Sequence, residues 1–370
     1  MESYIGFEQG PIRPPSEASS LLLRLTRNCP WNRCTFCSVY KGEKFSLRPV
    51  ADIIRDIDTI YRFVNESQET RNVQGFGPIN PSPGCEQAFF AARSWLAGGM
   101  KSIFLQDADS LVMRPENLVK ILEHIKTRFP LVKRITSYAR SDTVARITDE
   151  NLKKIAVAGL NRIHIGLETA SDKILGMIRK GMTKETHIIA GLKTKGAGIE
   201  LSEYVLTGIG GREFSQEHAI ETADALNRIN PDFIRFRTLH IPDTVKLFEE
   251  PEARYEWSPD IFLVKEMLLF IEHLGEVTSR IKSDHMLNLL QEIDGVLPRD
   301  KERLMGVLRT FIGMPPEHRS LFQVGKRFGH FLRLSDMDIP GRLAQVEEIC
   351  RQLGITPDNV DDKLHEIIQE

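Results

Sequence analysis

Between residues 101 and 240, short apolar runs alternate with longer stretches whose apolar residues recur every three or four positions. The short runs "KSIFLQDAD", "VKRITSYAR", "NRIHIGLET", "IELSEYVLTGIGG" and "DFIRFRTLH" read as strands. The longer ones read as helices with recognisable starts. "RPENLVKILEHIKTRF" has Pro115 in its first turn, "TDENLKKIAVAG" is capped by Thr148, "TKETHIIAGLKTKG" by Thr183 and "SQEHAIETADALNRI" by Ser215; "SDKILGMIRKG" is a further helix. Upstream, "LLLRLTRN" (21–28) predicts a strand, and Ile53, Ile54, Ile57, Ile60 and Val64 fall at helical spacing in "RPVADIIRDIDTIYRFV". "GFGPINPSPG" reads as a loop and "CEQAFFAARSWLAGG" as a short helix ended by glycine. Six strands separated by helices imply a parallel sheet with right-handed crossovers. The expected fold class is α/β, a partial (β/α)6 TIM-like barrel.

Past about residue 258 the pattern turns helical, giving a C-terminal all-helical region. "SPDIFLVKEMLLFIEHLG" begins with Ser258 as N-cap and Pro259 at the first position. "SDHMLNLLQEIDG", "RDKERLMGVLRTFIG", "GRLAQVEEICRQLG" and "TPDNVDDKLHEIIQE" follow as further expected helices. The expected division is a Pro-, Ser- and Gly-rich lead-in (1–20), the barrel (21–245) and a helical domain (246–370).

Composition adds limits. The chain has 370 residues, 41% hydrophobic and 27% charged, ordinary values for a globular protein. Lys plus Arg is 49 against 51 Asp plus Glu, so electrostatic capture of nucleic acid or anionic lipid is not expected. The first twenty residues lack a basic stretch followed by an apolar core, so no signal peptide is expected. No apolar run approaches the roughly 18 residues of a membrane span, and the expected location is cytoplasmic. There, five cysteines, an odd number, argue against a disulfide framework.

Three of those cysteines lie in "CPWNRCTFC", as Cys29, Cys34 and Cys37, just after the first strand. Barrel enzymes place their chemistry at that end of the strands. A four-iron, four-sulfur cluster normally takes four cysteines, and three would leave one iron open to a substrate or cofactor. The alternative is a zinc site completed by a histidine or by Cys85. Cys350, at the end of "LAQVEEIC", reads as a small core residue.

With these residues in place the chain resembles the radical S-adenosylmethionine (radical SAM) enzymes. It is closest to the branch of coproporphyrinogen oxidases, Elongator-type acetyltransferases and methylthiotransferases. The family spacing is C-x3-C-x2-C, and this chain has C-x4-C-x2-C. The resemblance extends over about 20–240, with "IHIGLETASDKILGMIRKG" matching the fourth strand and following helix. It implies a 4Fe-4S cluster on Cys29, Cys34 and Cys37. It implies Phe36 near the adenine of S-adenosyl-L-methionine, Glu168 on the ribose and Lys180 facing the methionine carboxylate. "SYAR" implies Ser137 and Arg140 near the cofactor. In "FLQDADS", Gln106, Asp107 and Asp109 replace the glycines whose turn binds the methionine amino group; their side chains are expected to accept from it instead. Tyr204 stands where relatives often carry an acidic ribose ligand.

The same resemblance implies reductive cleavage of S-adenosylmethionine to a 5′-deoxyadenosyl radical that abstracts hydrogen from a small molecule, cofactor precursor or peptide. A one-electron reductant such as flavodoxin or ferredoxin would be its partner. Arg235 and Arg237 share a face of the sixth strand and could clamp a carboxylate or phosphate, or form structural salt bridges. His285, Asn288 and Glu292 share a face of an expected helix, beside an apolar face of Met286, Leu290 and Ile293, and His285 is a candidate substrate contact. The rival reading is a non-catalytic iron–sulfur or zinc protein for electron transfer, sensing or scaffolding.

Overall fold

Apolar runs buried along nearly their whole length form the strands. A computed structural model describes residues 4–72, 75–76, 81–241, 247, 255 and 257–369. The chain forms two units: Met1–Asn32 with Cys37–Gly166 and Ile189–Leu201, and Arg33–Phe36 with Leu167–Ile188 and Ser202–Glu370.

In the first unit β1 (Leu21–Arg24), β2 (Ser102–Gln106), β3 (Arg134–Ala139) and β4 (Arg162–Glu168, whose last two residues belong to the second unit) pair in parallel. Register places Ile103, Ile135, Ile163 and Ile165 on one face, each fully or nearly fully buried. Phe104, Tyr138 and His164 share the other, with Phe104 meeting Tyr138 edge-on at 5.0 Å. Between the strands run α1 (Val50–Glu69), α2 (Glu86–Ala97), α3 (Pro115–Arg128), α4 (Ser141–Arg146) and α5 (Asp149–Ala158). Thr148 caps α5 as its sequence predicts, its hydroxyl accepting from the Asn151 amide at 3.3 Å.

The second unit contains α6 (Asp172–Met177), then, beyond α7 (Lys184–Gly196), most of β5 (Glu200–Thr207), α8 (Ser215–Ile229), β6 (Phe233–Thr238) and α9 (Asp260–His273). Parallel β5 and β6 keep a six-residue register, from Phe233 opposite Ser202 to Thr238 opposite Thr207. The architecture is thus α/β, with all six expected strands present, each parallel to a neighbour.

Two three-residue strands were not legible in the sequence. β7 (Arg280–Lys282) joins β6 in parallel, and β8 (Asp294–Val296) runs antiparallel to β7. They interrupt a region that is otherwise helical, with α10 (Lys301–Gly313), α11 (Pro316–Arg327), α12 (Pro340–Leu353) and α13 (Val360–Gln369). The helix expected over "SDHMLNLLQEIDG" is absent: residues 283–293 are turns and irregular chain. So His285, Asn288 and Glu292 share no helix face, and Met286, expected on the apolar side, is 79% exposed.

The cause is Asn288, which is buried. Its Oδ1 accepts from the Thr238 amide (2.9 Å) and its Nδ2 donates to the Phe236 carbonyl (2.9 Å). A side-chain amide thereby supplies the hydrogen bonds that β6 would take from another strand, which holds this segment out of a helix.

Two expected caps also differ. α9 starts at Asp260 behind Pro259, and the Ser258 hydroxyl finds no partner among the described residues. Ser215 does not cap its helix; it donates to Glu266 Oε2 at 2.6 Å. Glu266 Oε1 accepts from the Gly208 amide at 2.8 Å, so one buried carboxyl on α9 ties the turn after β5 to the start of α8. Gly208 is needed there: its φ is +84°, and a Cβ would lie 2.8 Å from Leu263. The expected boundary at 245/246 and part of the loop 75–84 lie outside the described residues.

Two predictions follow from these buried polar groups. Asn288→Ala strands the Thr238 amide and takes one of two side-chain donors from the Phe236 carbonyl, and should lower unfolding free energy by about 1–3 kcal/mol in denaturant titrations. Burial pushes the Glu266 carboxyl up to about 7, against the Ser215 and Gly208 hydrogen bonds that pull it down. His218, 3.7 Å away, is itself held to about 3 by burial and brings no positive charge. The folded state therefore keeps a proton that the unfolded chain releases near its ordinary value. Stability should fall as pH rises from about 4.5 to about 7, by an amount on the order of 3 kcal/mol, and then level off. Glu266→Gln, measured over the same range, should lose that slope.

Candidate active site

The cysteine loop leaves the C-terminal end of β1 under a set of buried polar contacts. Asp107, just past β2, is 0% exposed. Its Oδ2 accepts from Arg24 Nη2 (2.8 Å), Arg24 Nε (3.1 Å) and the Asn28 amide (3.3 Å), and its Oδ1 from the Tyr40 hydroxyl (2.5 Å). Tyr40 lies three residues past Cys37. Its phenol is pushed far up by burial and by Asp107, with Cys37 and Cys29 adding to the rise, so both thiols are close to it. Asn28 (φ +66°) and Asn32 (φ +45°) take the left-handed bends of the loop, a conformation asparagine tolerates. The Asn32 amide donates to Cys29 Sγ at 3.4 Å. Trp31 carries the Arg140 guanidinium 5.2 Å above its ring, linking the loop to the end of β3.

Cys34 is buried, Cys29 and Cys37 are half-buried, and none of the three is in a disulfide. Among the described residues no three His, Cys, Asp or Glu side chains converge closely enough to hold one metal ion, Asp107 and Asp109 included. A cubane cluster asks for something else, since each thiolate takes its own iron. Three thiols on one nine-residue loop, with an amide already directed at one sulfur, fit that donor set.

Several residues named from the sequence have their polar atoms engaged within the chain. Gln106 Oε1 accepts from the Gly10 amide (2.8 Å), and its Nε2 donates to the carbonyls of Ile12 (2.6 Å) and Gly10 (3.3 Å). Asp107 is ringed by Arg24, Asn28 and Tyr40 as above. Ser137 donates to the carbonyls of Tyr138 (2.9 Å) and Leu105 (3.3 Å). Arg140 Nε donates to Asp142 at 3.0 Å. Asp109 is fully buried, and burial pushes it up to about 7 against the pull of Thr143 and Arg140.

The second unit brings three named residues together. Lys180 Nζ lies 3.1 Å from Glu168 Oε1 and 5.6 Å from the centre of the Phe36 ring. The Thr35 amide donates to the Ile178 carbonyl at 3.1 Å, fixing the cysteine-loop tip against the chain just before Lys180. Glu168 ends β4 with φ +64°, a strained value for a non-glycine residue and one that clusters at functional sites. Tyr204 is buried; burial pushes its phenol up to about 12 although Arg237 and Arg235 pull it down.

Arg235 and Arg237 meet one carboxylate. Asp284 Oδ2 accepts from Arg235 Nη1, and Oδ1 from Arg237 Nη1 at 2.9 Å. His285 follows Asp284 in sequence and is shifted down, by burial first and then by Arg237.

The linear pattern missed Arg24, Tyr40, Trp31, Asp284 and Glu203. Two of them leave a trace: Arg24 interrupts "LLLRL", and Glu203 interrupts the apolar run of β5. Glu203 is fully buried, with neither oxygen hydrogen-bonded among the described residues. Burial raises its pKa far above the usual carboxylate range, Glu168 adds to the rise, and Lys180 opposes it. The chemistry of Tyr40, Trp31 and Asp284 appears only when distant segments meet.

No protein-family model and no curated protein matches this sequence. Solved structures similar to it include a radical S-adenosylmethionine methyltransferase, TsrM from Kitasatospora setae, bound to cobalamin and a [4Fe-4S] cluster (13% identity, TM-score 0.43, covering 62% of this chain and 35% of that one). Others are Elp3 from Methanocaldococcus infernus (14%, TM-score 0.43, 63% and 61%) and coproporphyrinogen III oxidase from Escherichia coli (12%, TM-score 0.44, 68% and 52%). The match to TsrM spans about a third of that protein's length. By their printed names, TsrM and the coproporphyrinogen oxidase are radical SAM enzymes, the family that the cysteine triplet and "GLETASDKILGMIRKG" resemble.

Proposed function

We propose that this protein is a radical SAM enzyme acting on a small-molecule, cofactor-precursor or peptide substrate. The observation that carries the reading is the meeting of Phe36, Lys180 and Glu168. They are separated by up to 144 positions, yet Lys180 contacts both others, and Phe36 is the residue before Cys37. When bound, the cluster and S-adenosylmethionine together supply a 5′-deoxyadenosyl radical, which takes a hydrogen atom from the substrate.

The chain's residues bind and orient. Cys29, Cys34 and Cys37 hold the cluster. Phe36 offers an aromatic face beside the last of them for a nucleobase. Lys180, only 8% exposed, attracts a carboxylate, and Glu168 accepts from ribose hydroxyls on a fixed, strained backbone. Gln106 and Asp107 serve this site by position: their hydrogen bonds lock the end of β2 and the cysteine loop. A one-electron reductant of the flavodoxin or ferredoxin type would serve as partner. No described helix is long and apolar enough to cross a membrane.

After anaerobic reconstitution the chain should hold about four irons and release 5′-deoxyadenosine when given S-adenosylmethionine and dithionite. Alanine at Cys29, Cys34 or Cys37 should each abolish that release; release retained by all three variants, or a colourless zinc-loaded protein releasing none, refutes the proposal. Lys180→Gln should weaken S-adenosylmethionine binding about 10–100-fold, read by equilibrium dialysis, because a charge-assisted hydrogen bond is lost and Glu168 loses its partner.

A further inference from the structure

Among the described residues, the two arginines of β6 hold more positive charge than their surroundings answer. Register on β5 and β6 sets Tyr204 opposite Arg235 and Leu206 opposite Arg237, so these side chains share one face of the strand pair. Arg235 Nε donates to the Ser202 hydroxyl at 3.2 Å, and its Nη1 to Asp284. Arg237 Nη1 donates to the Phe236 carbonyl (2.8 Å) and to Asp284 (2.9 Å), while its Nη2 is buried without a hydrogen-bond partner among the described residues.

Two guanidiniums therefore face one carboxylate. Among the described residues, the groups beside them do not cancel the surplus. Tyr204, whose ring lies 4.5 Å beneath the Arg237 guanidinium, keeps its proton, and His285 is shifted toward its neutral form. Lys282, which follows in the register, is paired with Asp294. Arg235 is 4% exposed, while Arg237 is 14% and Asp284 30% exposed, so of the two cations Arg237 lies nearer solvent.

We infer that Arg237 Nη2, backed by Arg235, binds a singly charged carboxylate of the substrate. Net charge sets the class: a cluster of two cations and one anion is neutralised by a monoanion, whereas a phosphate dianion would overfill it beside Asp284. One unused donor nitrogen likewise suits one carboxylate oxygen. Tyr204 gives the ligand an aromatic wall, and the Asp284 carboxylate fixes both guanidiniums in place before it arrives, so little ordering is lost on binding. Assigning the anion to the substrate rests on the radical SAM reading; the anion site itself does not.

The test uses the full chain with 15N-labelled arginine, titrated with acetate and, separately, with inorganic phosphate at a pH where phosphate is the dianion. Acetate should give a saturable shift of the Arg237 side-chain signals, with phosphate binding at least about ten-fold weaker. Arg237→Gln should lose the acetate response. Asp284→Asn, which removes the built-in competitor while leaving both guanidiniums, should tighten acetate about ten-fold and admit phosphate; this variant decides the matter if Arg237→Gln fails to fold. No saturable shift, phosphate binding as tight as acetate, or an unchanged affinity in Asp284→Asn overturns the inference. Loss of acetate binding with intact 5′-deoxyadenosine release defeats only this site; acetate binding without any release defeats only the radical SAM reading.

Discussion

A carboxylate that sees no water must be surrounded by donors, and in this protein that constraint falls on Asp107. Leaving it unpaired would cost several kcal/mol. Its oxygens are met by Arg24 at the end of β1 and by Asn28 and Tyr40 on either side of the cysteine triplet. One buried anion thus joins two adjacent parallel strands to both ends of the loop that carries Cys29 and Cys37. The thiols hang between Asn28 and Tyr40, and those two residues are held because each donates to Asp107 beside Arg24. Arg24 in turn is shared with Glu8, which also pairs with Arg27 and Arg48.

That arrangement gives the first twenty residues a role that composition concealed. They read as a lead-in because they are rich in Pro, Ser and Gly. In the fold, Gly10 passes so close to Asp107 that a Cβ would sit 2.7 Å from its Oδ1, and the backbone at Gly10 and Ile12 binds the Gln106 carboxamide. Glu17, fully buried, accepts from the Ser20 hydroxyl at 2.6 Å and receives Arg134 at 3.3 Å. Where the resembled family uses glycines at the end of β2, this chain uses Gln106 and Asp107, and the backbone of Gly10 and Ile12 satisfies the Gln106 carboxamide.

How much could be read in advance follows from the range of the interactions. The six strands and most helices were legible, because period and capping are local; Thr148 caps α5 with its own neighbours. Phe36, Glu168 and Lys180 were legible as a group only through motif resemblance, since nothing local says that Phe36 meets Lys180. The region 283–293 was misread because its helical spacing is real but weaker than what Asn288 gains on β6. A side chain bonded to residues 50 and 52 positions away leaves no periodic signal. Ser215 fails as a cap for a similar reason: Glu266, 51 positions on, offers its hydroxyl a better acceptor than the helix does a donor.

The strand pair β5 and β6 shows two ways of burying charge back to back. On the face of Tyr204 and Arg237, charges are kept and paired, two cations to one anion, and Arg237 Nη2 has no hydrogen-bond partner among the described residues. Glu203, opposite Ile234 in the register, lies on the other face with no hydrogen-bond donor among the described residues. There the carboxyl keeps its proton, because burial and the neighbouring Glu168 both oppose ionisation. Its neutrality has a consequence for the candidate cofactor site. An ionised Glu203 would compete with Glu168 for Lys180; a protonated one leaves the Lys180–Glu168 pair undisturbed. Protonation on one face and ion pairing on the other are thus two solutions to the same cost, that of holding a charge away from water.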